Sequence, residues 1–128
     1  MADHFALELP PEPISIGTAR LFSATVARFF QCEEEAVEDL KLAVSEACTV
    51  AIRTNEERGR PVHLTIEGGP NELMFSIRDG GSTVSTDGTV DALDVPGGEL
   101  IRALFPQVEV VANTDGGTDV RFSVPTAH

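Results

Sequence analysis

Apolar and polar residues alternate over residues 5–9 (FALEL) with the two-residue period of a half-buried strand. Pro10, Pro11 and Pro13 then break regular structure, Pro13 close to the start of the next element. Across residues 14–31 the period lengthens. Ala19, Phe22, Val26 and Phe29 recur at three- and four-residue spacing and predict a helix with one core-facing stripe. Its other side carries Arg20, Ala24, Ala27, Arg28 and Gln31, which reads as an outward, small-residue surface with two cations. Glu33, Glu34 and Glu35 favour a second helix N-terminus through the helix dipole. Val37, Leu40, Val44, Ala47, Cys48 and Ala51 mark that helix's buried stripe, and the run NEERGRP at residues 55–61 ends it.

Two alternating runs follow, Val62/Leu64/Ile66 and Leu73/Phe75/Ile77, joined by a Gly68-Gly69-Pro70-Asn71 turn. Residues 82–96 are rich in Ser, Thr, Asp and Gly and read as a mobile loop, uncommon in a compact domain unless it serves as a lid or binding segment. Gly97-Gly98 opens a short helix over residues 99–105. Residues 108–111 and 120–124 are strands joined by an NTDGG turn. The element order predicts one domain over residues 1–128, an α/β fold of the α+β sandwich type. Its helices pack on one face of a mixed, largely antiparallel sheet of about five strands.

Composition narrows the function classes. The 128 residues suit one domain with a real core, and 41% hydrophobic with 23% charged residues is an ordinary globular profile. The net charge of −12 repels phosphate backbones, so direct nucleic-acid binding is not expected; a partner protein with a basic face suits it better. No apolar run approaches a membrane span, and the N-terminal residues lack a basic region followed by an apolar one. No membrane association is expected, and a cytoplasmic location is the simplest expectation. Cys32 and Cys48 have no CxxC or metal-ligand spacing, and His4, His63 and His128 are scattered, so no metal site is expected.

Four segments carry the candidate chemistry: Glu46 on the second helix, Asp79 at a strand end with Gly80 and Gly81, Gly97-Gly98 at a helix start, and Thr118 opening the last strand. Each has an ordinary explanation too. Glu46 fits a surface carboxylate at a helix margin, Asp79-Gly80-Gly81 a turn, Gly97-Gly98 a tight helix entry, and Arg20 a solubilising charge.

Taken in order and spacing, LAVSEACTVAI, IRDGG, GGELIRALF and GTDV resemble the GHKL (histidine-kinase-like) ATPase fold over nearly the whole chain. The likeness is greatest to the small bacterial anti-sigma factor/serine kinases of the RsbW and SpoIIAB type. The resemblance implies that Glu46 stands where a catalytic general base polarises a partner's serine hydroxyl. Asp79 stands where an aspartate accepts a hydrogen bond from adenine, supported by Thr118. Gly81, Gly97 and Gly98 stand in the glycine boxes that let backbone N–H groups approach phosphates. Arg20, with Ala24 and Ala27 beside it, falls where a partner-contacting arginine occurs.

The chain departs from the family pattern at four places. Val50 replaces a Mg²⁺-binding asparagine and cannot coordinate a metal. Thr54 stands where many relatives carry a histidine or another polar residue. Thr83 replaces the second glycine of one box, and Gly98-Glu99 compresses the other. The expectation is an anti-sigma-type regulator that binds a sigma factor, a STAS anti-anti-sigma protein, or both, with weak or lost kinase activity; a homodimer stays open. The alternative is an active ATP-dependent serine/threonine kinase acting on a STAS protein. ATP or ADP is expected to bind weakly, with Mg²⁺ doubtful because of Val50.

Overall fold

The computed structural model describes residues 3–55, 59–79, 98–112 and 118–126, with the side chains of residues 54, 55 and 112 excepted. Strand β1 is His4–Leu9, followed by helices α1 (Ile14–Phe29) and α2 (Glu34–Asn55). Strands β2 (Val62–Gly68) and β3 (Glu72–Arg78), helix α3 (Gly98–Leu104), and strands β4 (Glu109–Ala112) and β5 (Thr118–Pro125) complete the order. The five strands form one sheet in the order β1-β2-β3-β5-β4. Each of the four pairings is antiparallel.

Strand alternation decides the two faces of the sheet. Val62, Leu64 and Ile66 of β2, Leu73, Phe75 and Ile77 of β3, and Phe122 and Val124 of β5 are buried towards the helices. There they meet Val37, Leu40 and Val44 of α2 in a single core. Phe122 lies at its centre, stacked on Phe75 at 5.6 Å and on Phe105 at 4.6 Å between ring centroids. The opposite face carries His63, Thr65, Glu67, Ser76, Arg121 and Ser123, as the antiparallel register requires.

Helix α1 differs from its sequence reading. Ala24 and Ala27, expected on an outward face, are buried, whereas Phe29, expected in the core stripe, is 76% exposed. The reason is steric. Two helices approach closely along their smallest side chains, so Ala19, Ser23, Ala24 and Ala27 form the buried side of α1, and α2 likewise buries Ala43, Ala47 and Cys48. Of the expected stripe, Ala19 and Val26 are buried and Phe22 packs against the core, and Phe29 alone lies outside it. Arg20 remains exposed, as expected.

The ends of α1 are set by hydrogen bonds to main-chain carbonyls. At its start the Ser15 hydroxyl donates to the Pro10 carbonyl at 2.8 Å. At its end the Gln31 N–H donates to the Arg28 carbonyl and the Cys32 N–H to the Ala27 carbonyl, both at 3.0 Å. This is a Schellman closure, and Gln31 occupies its left-handed position at φ 61° in place of the usual glycine.

Candidate functional site

Asp79 follows directly on β3, one residue after Arg78, and Thr118 opens β5. Because Arg78 pairs with Asp119 in the sheet register, Asp79 falls opposite Thr118. Both are buried. The Asp79 N–H donates to the Thr118 carbonyl at 3.0 Å, and the Thr118 N–H donates to Asp79 Oδ1 at 3.1 Å. Burial of a carboxylate is costly unless it is hydrogen-bonded, and the Thr118 amide meets part of that requirement. The structure thus brings together two of the residues singled out in the sequence, on chain segments almost forty positions apart.

An ion-pair cluster on the other side of the same strand ends carries no signal in the linear sequence. Asp119, with a side chain only 3% exposed, accepts from Arg78 Nε and from Arg121 Nη2, each at 3.0 Å. One buried carboxylate therefore ties β3 to β5 beside Asp79 and Thr118. The register alone makes Arg78 and Asp119 neighbours, so a sequence signal existed only once the pairing of β3 with β5 was known.

Glu46 lies on α2, half-buried at the margin of the core stripe, and Val50 follows one turn later, also half-buried. The Glu46 carboxylate has no hydrogen-bond or ion-pair partner among the described residues. The same helix buries Cys48 so fully that its thiol is pushed up to about 12, desolvation of the thiolate being the cause. Burial also raises the Cys32 thiol. Both cysteines are free.

Gly98 is the buried first residue of α3. Gly81, Gly97 and Thr83 lie outside the described residues, as does the loop expected over 82–96. Among the described residues no group of three His, Cys, Asp or Glu side chains could hold a metal ion. Likewise, no described helix is long and apolar enough to cross a membrane.

A shallow concavity of about 680 Å³ lies on the open face of the sheet, lined by His63, Thr65, Ser76, Arg78, Asp119 and Arg121 among others. Neither Glu46 nor Asp79 lines it. Asp79 follows the core-facing residues of β3, so the candidate chemistry belongs to the helix side of the sheet, and size alone does not make this concavity the site.

The arrangement can be compared with known proteins. Residues 9–124 match the model of the histidine kinase-like ATPase domain. The serine-protein kinase RsbW of Bacillus velezensis is 30% identical over 128 aligned positions, covering 88% of this chain and 80% of that protein. RsbW of Bacillus licheniformis is 28% identical, with 93% and 83% covered. A crystal structure of the RsbU and RsbW domains of a Mycobacterium tuberculosis protein superposes with a TM-score of 0.74 over 97% of this chain, at 13% identity. This chain spans 32% of that longer one, and the likeness there concerns the fold. With an antiparallel sheet under two long helices, Asp79 locked to Thr118 and these matches, the chain belongs to the histidine kinase-like ATPase domain family, within its RsbW-like branch.

Proposed function

We propose that this protein is an anti-sigma-type regulator that acts by binding. It engages a sigma factor, a STAS anti-anti-sigma protein, or both, in the cytoplasm, and its serine-kinase activity is weak or lost. The observation that carries this reading is Val50. One turn past Glu46, a half-buried isopropyl group stands where Mg²⁺ would need a hard oxygen ligand. The described residues on this face of α2 therefore do not fit the ion. Losing the charge stabilisation that Mg²⁺ gives to a transferring phosphoryl group is worth several kcal/mol, or about a thousandfold in rate. Partner binding requires none of that machinery, and Arg20 stands exposed on α1 with no ion pair to a described residue.

A second reading, an active ATP-dependent serine/threonine kinase, is favoured by one observation. Asp79 is a buried carboxylate bonded to the Thr118 amide, and this supports the reading in which it would accept from an adenine amino group. On this reading Glu46 is the general base. Asp79 and Thr118 are consistent with a weakly held ATP or ADP in either case.

Calorimetric titration with ATP, with and without Mg²⁺, tests the choice. Weak binding that Mg²⁺ leaves unchanged is expected of the native protein, and Mg²⁺-dependent tightening is expected only of Val50→Asn. Tight, Mg²⁺-dependent binding by the native protein, with phosphate transfer to a STAS protein, would establish the kinase instead.

A further inference from the structure

The open face of the sheet carries a charge pattern with no part in the candidate nucleotide site. Asp119 lies within it with a side chain 3% exposed, whereas Arg78 and Arg121, which each give it one N–H at 3.0 Å, are 46% and 42% exposed. The carboxylate is turned inward, so the charge that meets solvent at this point is guanidinium. Asp119 also fixes Arg121 in place. Its two oxygens take different arginines, and among the described residues Arg121 has no other hydrogen-bond or ion-pair partner. Most of its N–H donors remain for another acceptor. Arg28, by contrast, gives Nε and Nη2 to the two oxygens of Glu34.

The sheet register sets a carboxylate on either side of this cationic centre. Glu109, exposed on the edge strand β4, pairs in register with Arg121. On the other side Glu67 of β2 pairs with Met74 of β3, and Met74 with Ser123, two residues along β5 from Arg121. Glu67 is also exposed, with His4 Nδ1 at 3.5 Å. Neighbouring strands lie about 4.8 Å apart, so one carboxylate is one strand from Arg121 and the other two strands away. Thr65 and Ser76 put hydroxyl groups in the same row as Arg121, and all of these residues line the concavity of about 680 Å³.

We propose that this face docks a segment of a partner protein in which one carboxylate residue stands between two basic ones. The central carboxylate accepts from Arg121 and Arg78, and the flanking cations meet Glu109 and Glu67. Charge complementarity selects that occupant. The net charge of −12 repels polyanions and draws in proteins with a basic surface, yet the centre of this face calls for an anion. A polyanion meets both the overall repulsion and the two flanking carboxylates. A wholly basic segment sets a cation against the guanidinium groups. A segment that carries both signs in this order meets neither penalty. Reach agrees with charge. Side chains on one side of an extended segment recur at about 6.8 Å. Cations two residues either side of the carboxylate therefore fall over β4 and β2 when the segment crosses the strands. Because buried Asp119 already orders Arg121, less freedom is lost when the partner binds. The face lies on the opposite side of the sheet from α1, so it is separate from Arg20 and does not rest on the anti-sigma reading.

Selection from a displayed library of random peptides on the immobilised native chain tests this. Enriched peptides are expected to share an aspartate or glutamate with a lysine or arginine two residues to either side. The consensus peptide is then synthesised and titrated against isotope-labelled protein, where amide shifts should centre on Arg78, Asp119 and Arg121 and spare α1. Replacing its central acid by the corresponding amide should weaken binding at least about tenfold. Arg121→Gln, which keeps an N–H donor for Asp119, should do the same. Glu109→Gln, which leaves the Asp119 cluster whole, should weaken binding about threefold, as befits an exposed pair. Thermal melts report whether each variant is folded; should Arg121→Gln fail to fold, Glu109→Gln and the amide peptide decide alone. No enrichment, a consensus lacking the acid or its basic neighbours, or binding indifferent to a folded Arg121→Gln would each overturn the proposal. Shifts confined to α1 would overturn it too, while leaving the Arg20 reading standing.

Discussion

Asp79 and Thr118 hold each other by two hydrogen bonds running in opposite senses, one between main-chain groups and one from the Thr118 amide to the Asp79 carboxylate. A residue proposed to read a nucleotide is thereby also a fastening between β3 and β5.

Replacement of Asp79 should separate these roles. Asp79→Ala leaves the Thr118 N–H without its acceptor in a buried setting, and a loss of about 1–3 kcal/mol is expected in chemical denaturation. Asp79→Asn keeps an oxygen acceptor and should cost less. If Asp79→Ala unfolds at the native denaturant midpoint, the bond contributes nothing to stability.

Gln31 closes α1 in the left-handed conformation, where a side chain costs roughly 1–2 kcal/mol and glycine almost nothing. Gln31→Gly should therefore raise the melting temperature, the relief being partly offset by the greater freedom glycine gives the unfolded chain. A lower melting temperature would mean that the Gln31 side chain makes up for its backbone conformation.

On the proposed reading Arg20 serves partner binding and Glu46 serves only residual catalysis. Arg20→Glu should weaken sigma-factor or STAS-protein binding by about 2 kcal/mol or more, because an exposed guanidinium that pairs with a partner carboxylate is a common hot spot. Glu46→Ala should leave that affinity unchanged while removing residual phosphate transfer. Pull-down and thermal melts of both variants check this. Loss of regulatory output in Glu46→Ala alone would point to an enzyme.

Cys48 makes stability depend on alkaline pH. Its folded thiol titrates near 12 against an ordinary value of 9.0, so the unfolded chain loses this proton first. The contribution is intact below pH 9 and declines as pH rises from there towards 12. The slope approaches about 1.4 kcal/mol per pH unit at most. Denaturant titrations at pH 8 and pH 10.5 should show a larger loss for the native chain than for Cys48→Ala. The thiol should also resist alkylation until the protein unfolds. Equal losses would show that Cys48 contributes nothing to this decline.

Much of the fold was legible in the order of the residues. Two-residue alternation placed β1, β2, β3 and β5, and three- and four-residue spacing placed α1 and α2, because both periods follow from local backbone geometry. The family also followed from the chain, since LAVSEACTVAI, IRDGG, GGELIRALF and GTDV stand in the family's order and spacing. Which side of α1 is buried was legible only in part: Ala19 and Val26 of the expected stripe are buried and Phe22 packs on the core, but the rest differs. Ala24 and Ala27 go inside and Phe29 stays outside because helix α2 demands close approach, a property of the pair of helices rather than of either sequence. The Asp119 ion pairs were equally invisible. Arg78 and Asp119 lie 41 positions apart and become neighbours only through the register of β3 against β5. Local sequence fixes period and element type at short range; which faces meet, and which charges find each other, depends on long-range packing that only the assembled tertiary structure decides.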